Sequence, residues 1–258
     1  MPDYSTVTET PQDKGSKEQL SMLFTRYQWA AGFCEGKKVL EVGCGAGQGL
    51  GLLAKSASLV IGGDIEPNNL KFAQRHYNGR DKIKLLLFDG HKFPLKDKSI
   101  DVVILYEAIY YLSKPEEFIE ETRRVLKDNG VLLICTVNCS WLDFNPSPFS
   151  TKYFSAPELY QLLKTKFPKV EIYGAYPAVS DSTKTQLVSF IKRTAVSLHL
   201  IPGTMKGKEL LKRLFFGQLI PIPAEIEENG YPYQKPVLIS DNTPNYSYKV
   251  IYALAQST

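Results

Sequence analysis

Short apolar runs rich in β-branched residues alternate with stretches of helical spacing along most of the chain. Seven of these runs have the length and the flanking turn residues of β-strands. The predicted strands cover residues 37–43, 58–64, 83–89, 100–106, 131–137, 169–175 and 246–255. Helices are predicted at 48–57, from Pro67, from Pro115 (capped by Ser113 and ended by Asp128-Asn129-Gly130) and at 156–166. This alternation indicates an α/β fold, in which a mostly parallel sheet carries helices on both faces.

The polar segments between these elements suggest how the chain is organised. Residues 1–18 are polar and are predicted to form a flexible arm, followed by one domain over residues 19–258. About seventy residues separate the last two predicted strands, which is far more than a direct connection between neighbouring strands needs. Residues 177–240 are therefore predicted to form a cap-like insertion before the last strand.

Composition and charge narrow the class of protein. A hydrophobic fraction of 43% is typical of a globular domain with a buried core. No apolar run approaches the roughly 18 residues of a membrane span, and residues 1–18 contain no apolar leader. The net charge of +4 is too small to favour nucleic acid as a partner. The four cysteines form no C-x-x-C pair, so we expect free thiols, no metal site and a cytoplasmic location.

A glycine-rich motif, VLEVGCGAG at 39–47, joins the first predicted strand to the following helix. Gly43, Gly45 and Gly47 permit a turn with unusual backbone angles and let a ligand approach the main chain. A tight turn without a ligand is the alternative. A nicotinamide-binding Rossmann site would require glycine at position 48, where this chain has Gln48. Glu41 lies inside the apolar strand, so its carboxylate needs a partner such as a cationic ligand or loop amides.

Two carboxylates end the next two predicted strands. Asp64 ends the second strand, where a carboxylate can accept hydrogen bonds from both ribose hydroxyls of a nucleoside. Asp89-Gly90 ends the third, where the aspartate can accept a bond from an adenine amino group. Asp-Gly alone is more often a turn. In series with the glycine motif, however, the two carboxylates indicate an adenosine-containing cofactor.

Taken in order, four segments resemble the successive motifs of class I S-adenosylmethionine-dependent methyltransferases, specifically the type 11 small-molecule branch. The segments are VLEVGCGAG, GGDIEP, FDGHKFPLKDKSIDVVILYEAIYYL and RVLKDNGVLLI, and the resemblance covers residues 22–138. It implies a Rossmann-like sheet of seven strands, the last one antiparallel, with S-adenosylmethionine across the carboxyl ends of the first, second and fourth strands. A looser likeness, over RYQWAAGFCEGKKVLEVGCGAGQG, is to enzymes of saccharide and natural-product biosynthesis.

The resemblance also implies roles for individual residues. Asp64 would bind the ribose, and Asp89 with its neighbour Gly90 the adenine. The remaining cofactor contacts are Gly43, Cys44 and Gly45 for the methionine part, Ile65 for the adenine face, Tyr106 near the sulfonium and Arg26 for the carboxylate. A solvent-exposed side chain is the alternative for Arg26.

Few side chains are candidates for acid–base chemistry. Methyl transfer from a sulfonium is an in-line displacement that needs alignment and a desolvated site, and a hydroxyl acceptor usually also needs a base. Glu107, Tyr111 and His199 are the candidates for catalysis, with His91 and Tyr110 as further titratable groups. Type 11 enzymes often carry histidine where this chain has Tyr110-Tyr111, so the chain departs here from the resemblance.

The acceptor is expected to be a small molecule rather than nucleic acid. Residues 105–108 read LYEA, where DNA amino-methyltransferases have an Asn-Pro-Pro-Tyr-like motif. The loop 139–155 follows the fifth predicted strand and so lies on the cofactor's side of the sheet. Its aromatic side chains are Trp141, Phe144, Phe149, Tyr153 and Phe154. They either anchor the loop or line a pocket for an apolar or ring-shaped acceptor, such as a sugar or natural-product intermediate methylated on oxygen or nitrogen.

Two other functions remain open. A methyltransferase fold that binds the cofactor but serves as a binding or regulatory module is the first alternative, since no base is clear from the sequence. An NAD-binding enzyme is the second. The oligomeric state is left open.

The cap-like insertion carries apolar and basic positions at helical spacing in residues 183–200 and 206–216. These segments either pack on the core or border an acceptor with an apolar or anionic part, in the second case near a membrane surface. If the insertion is a cap, replacing residues 183–216 with a short linker leaves cofactor binding intact but abolishes methyl transfer. Calorimetry and label transfer check the two outcomes. Full activity would contradict the cap, and global unfolding would assign the segment to the core.

Overall fold

A computed structural model describes residues 4–11, 13–178 and 219–257 of the chain. Ten strands are assigned in these ranges. They are β1 (Lys14–Gly15), β2 (Lys38–Val42), β3 (Leu59–Asp64), β4 (Ile83–Leu87), β5 (Ile100–Tyr106), β6 (Leu126–Val137), β7 (Lys169–Pro177), β8 (Ile220–Pro221), β9 (Val237–Leu238) and β10 (Tyr248–Gln256). The predicted segments 183–200 and 206–216, and His199, lie outside the described residues.

Eight of these strands form one mixed sheet in the order β4-β3-β2-β5-β6-β10-β7-β9. Strands β2 to β6 are parallel to one another, whereas β10 is antiparallel to both β6 and β7. The α/β fold with a mostly parallel seven-stranded core and an antiparallel last strand is thus confirmed. The sheet gains an eighth strand, because the two residues of β9 pair with the far edge of β7.

Helices cover both faces of the sheet. They are α1 (Lys17–Ala31), α2 (Leu50–Ser56) and α3 (Pro67–His76) on the first face, and α4 (Pro115–Val125) and α5 (Ala156–Lys164) on the second. Side chains alternate across each strand, so Val39 of β2 packs with the first set of helices and Leu40 with the second. Both are fully buried, and a side chain of this size contributes about 1.5–3 kcal/mol to stability.

Two short 3-10 turns lie at the carboxyl edge of the parallel strands, Tyr4–Thr6 near the start of the chain and Ile109–Tyr111 after β5. Helix α1 begins at a capping box, in which the Ser16 hydroxyl accepts from the Gln19 amide and the Gln19 side chain accepts from the Ser16 amide. The box sets where α1 starts and therefore where its later turns meet the sheet. None of the helices within the described ranges is long and apolar enough to cross a membrane.

Helix α4 begins at Pro115 as predicted, but its capping residue and its end differ from the sequence prediction. The helix ends at Val125, and β6 begins at the next residue and runs through Asp128-Asn129-Gly130. Asn129 has φ of 62° and the pairing of β6 with β5 shifts register beside it, so this turn bends a strand instead of ending the helix. Ser113 is not the cap either. Lys114 occupies that position, and its side chain makes no capping hydrogen bond.

The arm pairs with the segment 219–226 on the first face of the sheet. β1, within the segment predicted to be a flexible arm, pairs antiparallel with β8. After β8, Ile222 and Ile226 are buried in the core beside α1 and α2. Glu225 accepts hydrogen bonds from His76 and Arg80 at the end of α3. Residues 219–226 are therefore packed into the domain and tied to the arm.

Candidate functional site

A cavity of about 840 Å³ opens at the edge of the sheet where β2, β3 and β5 end. Strands β2 to β6 run in the same direction, so the loops that follow them meet at this edge. The cavity is lined by the arm, α1, the loops after β2 to β6 and the start of β10. Nearly all of the cofactor residues predicted from the sequence that the structure describes face it. They are Arg26, Gly43, Cys44, Gly45, Asp64, Ile65, Asp89, Gly90 and Tyr106.

The glycine loop forms the floor of the cavity. Gly43, Gly45 and Gly47 have φ of 69°, 57° and 82°, a region that side chains other than glycine rarely adopt. A Cβ on Gly43 would also lie 2.9 Å from the Cβ of Ala108. Gly43 and Gly45 line the cavity, but Gly47 does not. The Gly47 carbonyl accepts a hydrogen bond from Tyr77 behind the loop, so this glycine shapes the turn without facing a ligand.

Asp64 closes the glycine loop against the end of β3. Its Oδ2 accepts a bond of 2.8 Å from the Gly45 amide and its Oδ1 one of 2.8 Å from the Glu66 amide. Burial raises the pKa of Asp64, although these bonds oppose the shift. A carboxylate offers about four acceptor positions, so the two amides leave capacity for ribose hydroxyls. The same interaction thus orders the loop and presents an acceptor to the cavity.

Asp89 is held in place by His91, which the sequence analysis named only as a titratable group near the site. The backbone amide and the imidazole Nδ1 of His91 both bond to Asp89 Oδ1, and the Nε2 of that ring lies 3.3 Å from the Ser113 hydroxyl. Burial opposes ionisation of Asp89, but the bonds from His91 outweigh it and lower the pKa of the carboxyl. His91 therefore orients Asp89, with Gly90 and Ile65 beside it on the cavity wall.

Glu41 lies behind the cavity wall instead of on it. It is 1% exposed, and its Oε1 accepts a bond of 2.6 Å from the Tyr27 hydroxyl, while Tyr27 itself lines the cavity. Its Oε2 has no hydrogen-bond partner in the described part of the chain. Burial raises the pKa of Glu41 to about 8. The Glu41 carboxylate, which was predicted to meet a ligand, therefore contacts Tyr27 and does not line the cavity itself. The sequence analysis missed Tyr27.

Arg26 and Glu107 face each other across the cavity near the end of β5. Arg26 Nη1 and Glu107 Oε1 are 4.0 Å apart, and both side chains are largely buried. Glu107 has φ of 50°, and its Oε2 accepts a bond of 3.2 Å from the Tyr110 hydroxyl. Burial raises the pKa of Glu107, and Arg26 acts against that shift. The buried hydroxyl of Tyr106 has no partner among the described residues.

Aromatic side chains form the other end of the cavity. The Tyr4 ring meets the edges of Tyr111 and Phe149, with ring centroids 5.4 Å and 6.4 Å apart. Trp141 lines the same space, with the Lys249 ammonium 5.7 Å from its ring centroid. Of the five aromatics predicted for an acceptor pocket, Trp141 and Phe149 line the cavity. The other three, Phe144, Tyr153 and Phe154, do not line it, and the Tyr153 ring stacks on Tyr110.

The arm supplies wall residues for which the sequence offered no signal. Tyr4, Thr8 and Glu9 all line the cavity. The carbonyl of Glu9 accepts a 2.6 Å bond from the side chain of Gln48 in the glycine loop, and Thr8 accepts one from Asn69. A polar segment without hydrophobic periodicity gives no indication of such long-range bonds. Within the described ranges, no cluster of His, Cys, Asp or Glu side chains could hold a metal ion.

Comparison with known proteins agrees with this geometry. Residues 40–134 match the model of a family described as "Methyltransferase domain", type 11. A "Probable S-adenosylmethionine-dependent methyltransferase" of Mycolicibacterium smegmatis is 35% identical over 56% of this chain and 57% of its own. A "Ubiquinone biosynthesis O-methyltransferase" of Bartonella bacilliformis is 26% identical over 64% and 74%. The crystal structure of a SAM dependent methyltransferase from Archaeoglobus fulgidus superposes with a TM-score of 0.58 at 18% identity, covering 94% and 95%.

The strand order and the geometry of the site are those of the class I methyltransferase fold. The match over residues 40–134, the named relatives and the fold support a class I S-adenosylmethionine-dependent methyltransferase of the type 11 branch, and they imply S-adenosylmethionine as the cofactor. The chain spans about half the length of the first curated relatives that it matches.

The buried carboxyl of Glu41 predicts a dependence of stability on pH. Its pKa in the folded state, about 8, lies above the ordinary value of 4.5, so the folded chain binds the extra proton between these two pH values. The free energy of unfolding should therefore fall as pH rises through this window, with a slope of at most about 1.4 kcal/mol per pH unit. Urea unfolding should show a weaker decline for Glu41→Gln. In Glu35→Gln, which alters an exposed side chain, the free energy of unfolding should decline as steeply as in the unaltered protein. Equal slopes for all three proteins would contradict this assignment.

Proposed function

We propose that the chain transfers a methyl group from S-adenosylmethionine to an oxygen or nitrogen atom of a small-molecule acceptor. The observation that carries the proposal is the continuous cavity, which joins the glycine loop, Asp64 and Asp89 at one end to Glu107 and an aromatic wall at the other. A methyl donor and its acceptor must share one desolvated space, with the donor carbon in line with the nucleophile.

The residues at the first end suit this cofactor. Arg26 Nε is buried without a hydrogen-bond partner among the described residues, so the cavity presents a cation suited to the carboxylate of the methionine part. Gly43 and Gly45 keep the floor free of side chains. Asp64 is placed for the ribose hydroxyls and Asp89 for the adenine amino group. When bound, the cofactor supplies an electrophilic methyl group on a sulfonium.

The residues at the second end suit positioning and proton transfer. Glu107 is the carboxylate at the end of β5, where its raised pKa favours taking a proton from a hydroxyl or ammonium group. Tyr111 shares a 2.7 Å hydrogen bond with Ser147, which fixes its ring beside Tyr4. Burial raises the pKa of Tyr111, so its hydroxyl serves as a hydrogen-bond group and not as a base at neutral pH.

The acceptor that this wall suits is flat and partly apolar. Tyr4, Tyr111, Phe149 and Trp141 offer ring faces and edges for stacking, with Glu107 as the nearby acid group. The name of the Bartonella relative, an O-methyltransferase of ubiquinone biosynthesis, supports a ring-shaped acceptor methylated on oxygen. A sugar stacked on an aromatic face fits the same wall.

Cofactor binding should discriminate between the candidate nucleotides. We expect S-adenosylhomocysteine to bind and NAD not to bind in calorimetry. Asp64→Ala should weaken the binding of S-adenosylhomocysteine by about 1–3 kcal/mol, which is the cost of leaving buried polar partners unpaired. Asp81→Ala, an exposed aspartate outside the cavity, is the matched control and should bind as the unaltered protein does. Tighter binding of NAD, or unchanged affinity in a folded Asp64→Ala protein, would contradict the assignment.

Transfer itself should be visible even before the acceptor has been identified. Incubating the protein with methyl-labelled cofactor and a fractionated metabolite pool should place label in a small molecule. With that acceptor, Glu107→Gln should lower kcat by about 10²-fold or more if the nucleophile is a hydroxyl. Cofactor binding without any transfer would favour the alternative of a binding module. Transfer at an unchanged rate in Glu107→Gln would remove Glu107 from proton transfer.

A further inference from the structure

The pairing of Arg26 with Glu107 is incomplete. Their nearest charged atoms are 4.0 Å apart, beyond hydrogen-bond distance, although only 13% of the Arg26 side chain and 27% of the Glu107 side chain are exposed. Arg26 Nε is buried with no partner in the described ranges. A buried guanidinium normally makes several charge-assisted bonds, so this one has unused capacity directed at the cavity.

Other charged or titratable groups near this pair do not complete it. Glu9 of the arm acts on both side chains, and Cys135 of β6 contacts Glu107 through its thiol at 3.8 Å. Tyr110 donates to the second oxygen of Glu107. Two carboxylates therefore lie near one guanidinium, and neither bonds to its buried Nε.

The position of Glu107 is also costly for the backbone. A φ of 50° in a residue other than glycine is a strained backbone conformation, and such strain persists where the surroundings fix it. Glu107 follows directly after β5, and its amide donates a 2.8 Å bond to the Cys135 carbonyl. The strand pairing thus holds the glutamate in the cavity beside Arg26.

We propose that Glu107 and the carboxylate of the cofactor compete for Arg26, so that cofactor binding draws Arg26 away and frees Glu107 for the acceptor. The inference rests on the proposed function, because it assumes that the cofactor's carboxylate reaches Arg26. Arg26 is then a positioning residue for Glu107 as well as a cofactor contact. It follows that Glu107 becomes available as a proton acceptor only once the cofactor is bound.

The test compares two ligands that share the adenosine and the sulfur. S-adenosylhomocysteine carries the amino-acid carboxylate, whereas 5′-methylthioadenosine lacks the amino-acid head group. Calorimetry is done at weakly alkaline pH with the full chain. Glu107→Gln removes the competing charge. It should raise the affinity for S-adenosylhomocysteine about threefold to tenfold while leaving the affinity for methylthioadenosine unchanged. Arg26→Gln should lower the affinity for S-adenosylhomocysteine by about tenfold or more, again without effect on the binding of methylthioadenosine.

The double variant separates competition from simple repulsion between carboxylates. Competition predicts that most of the gain from Glu107→Gln disappears when Arg26 is already Gln, whereas additive effects would overturn the proposal. Weaker binding of S-adenosylhomocysteine by Glu107→Gln would also overturn it, because Glu107 would then be a cofactor contact. If Arg26→Gln fails to fold, Arg26→Met, which also removes the positive charge, replaces it. Failure of the unaltered chain to bind either ligand would instead contradict the proposed function.

Discussion

The cost of burying charge at the carboxyl edge of an apolar sheet constrains most of this structure. Glu41, Asp64, Glu107 and Arg26 all lie at that edge, and an isolated ion there would cost several kcal/mol. Each is stabilised differently. Asp64 accepts two backbone amides, Glu41 takes a tyrosine hydroxyl and holds its proton to a higher pH, and Arg26 and Glu107 face one another at a distance. The shape of the cavity follows from these arrangements.

The loops around the cavity are ordered by the same interactions. The Gly45 amide bonds to Asp64, so the glycine loop cannot move away from β3. Gln48, the residue that departs from the dinucleotide-binding spacing, donates to the carbonyl of Glu9 and holds the arm over the cavity. The arm in turn pairs with β8, whose following residues lie buried in the core. Segments distant in sequence therefore depend on one another for the wall of the site.

The difference between local motifs and contacts across distant segments explains which features of the structure the sequence could predict. Strand periodicity and the glycine spacing are local, so the strands, the helices between them and the loop residues that line the cavity were predictable. The prediction that helix α4 ends at Asp128-Asn129-Gly130 was wrong because a bulged strand and a helix end use the same turn residues. Glu41 and Gly47 were predicted as cofactor contacts, yet Tyr27 and Tyr77 lie against them. Such partners come from other elements, and no local pattern encodes them.

The two ends of the cavity differ in how they are built, which bears on how an acceptor can be inferred. The cofactor end uses short motifs within residues 40–134, the part that matches the family, together with Arg26 of α1. The aromatic end is assembled from Tyr4, Trp141, Phe149 and Lys249, all outside that part, together with Tyr111. Because stacking depends on the ring at each position, substitutions there would change the acceptor while leaving Asp64 and the glycine loop intact. A shared methyl donor therefore does not imply a shared acceptor, and direct transfer to a metabolite pool is more informative than any relative's substrate.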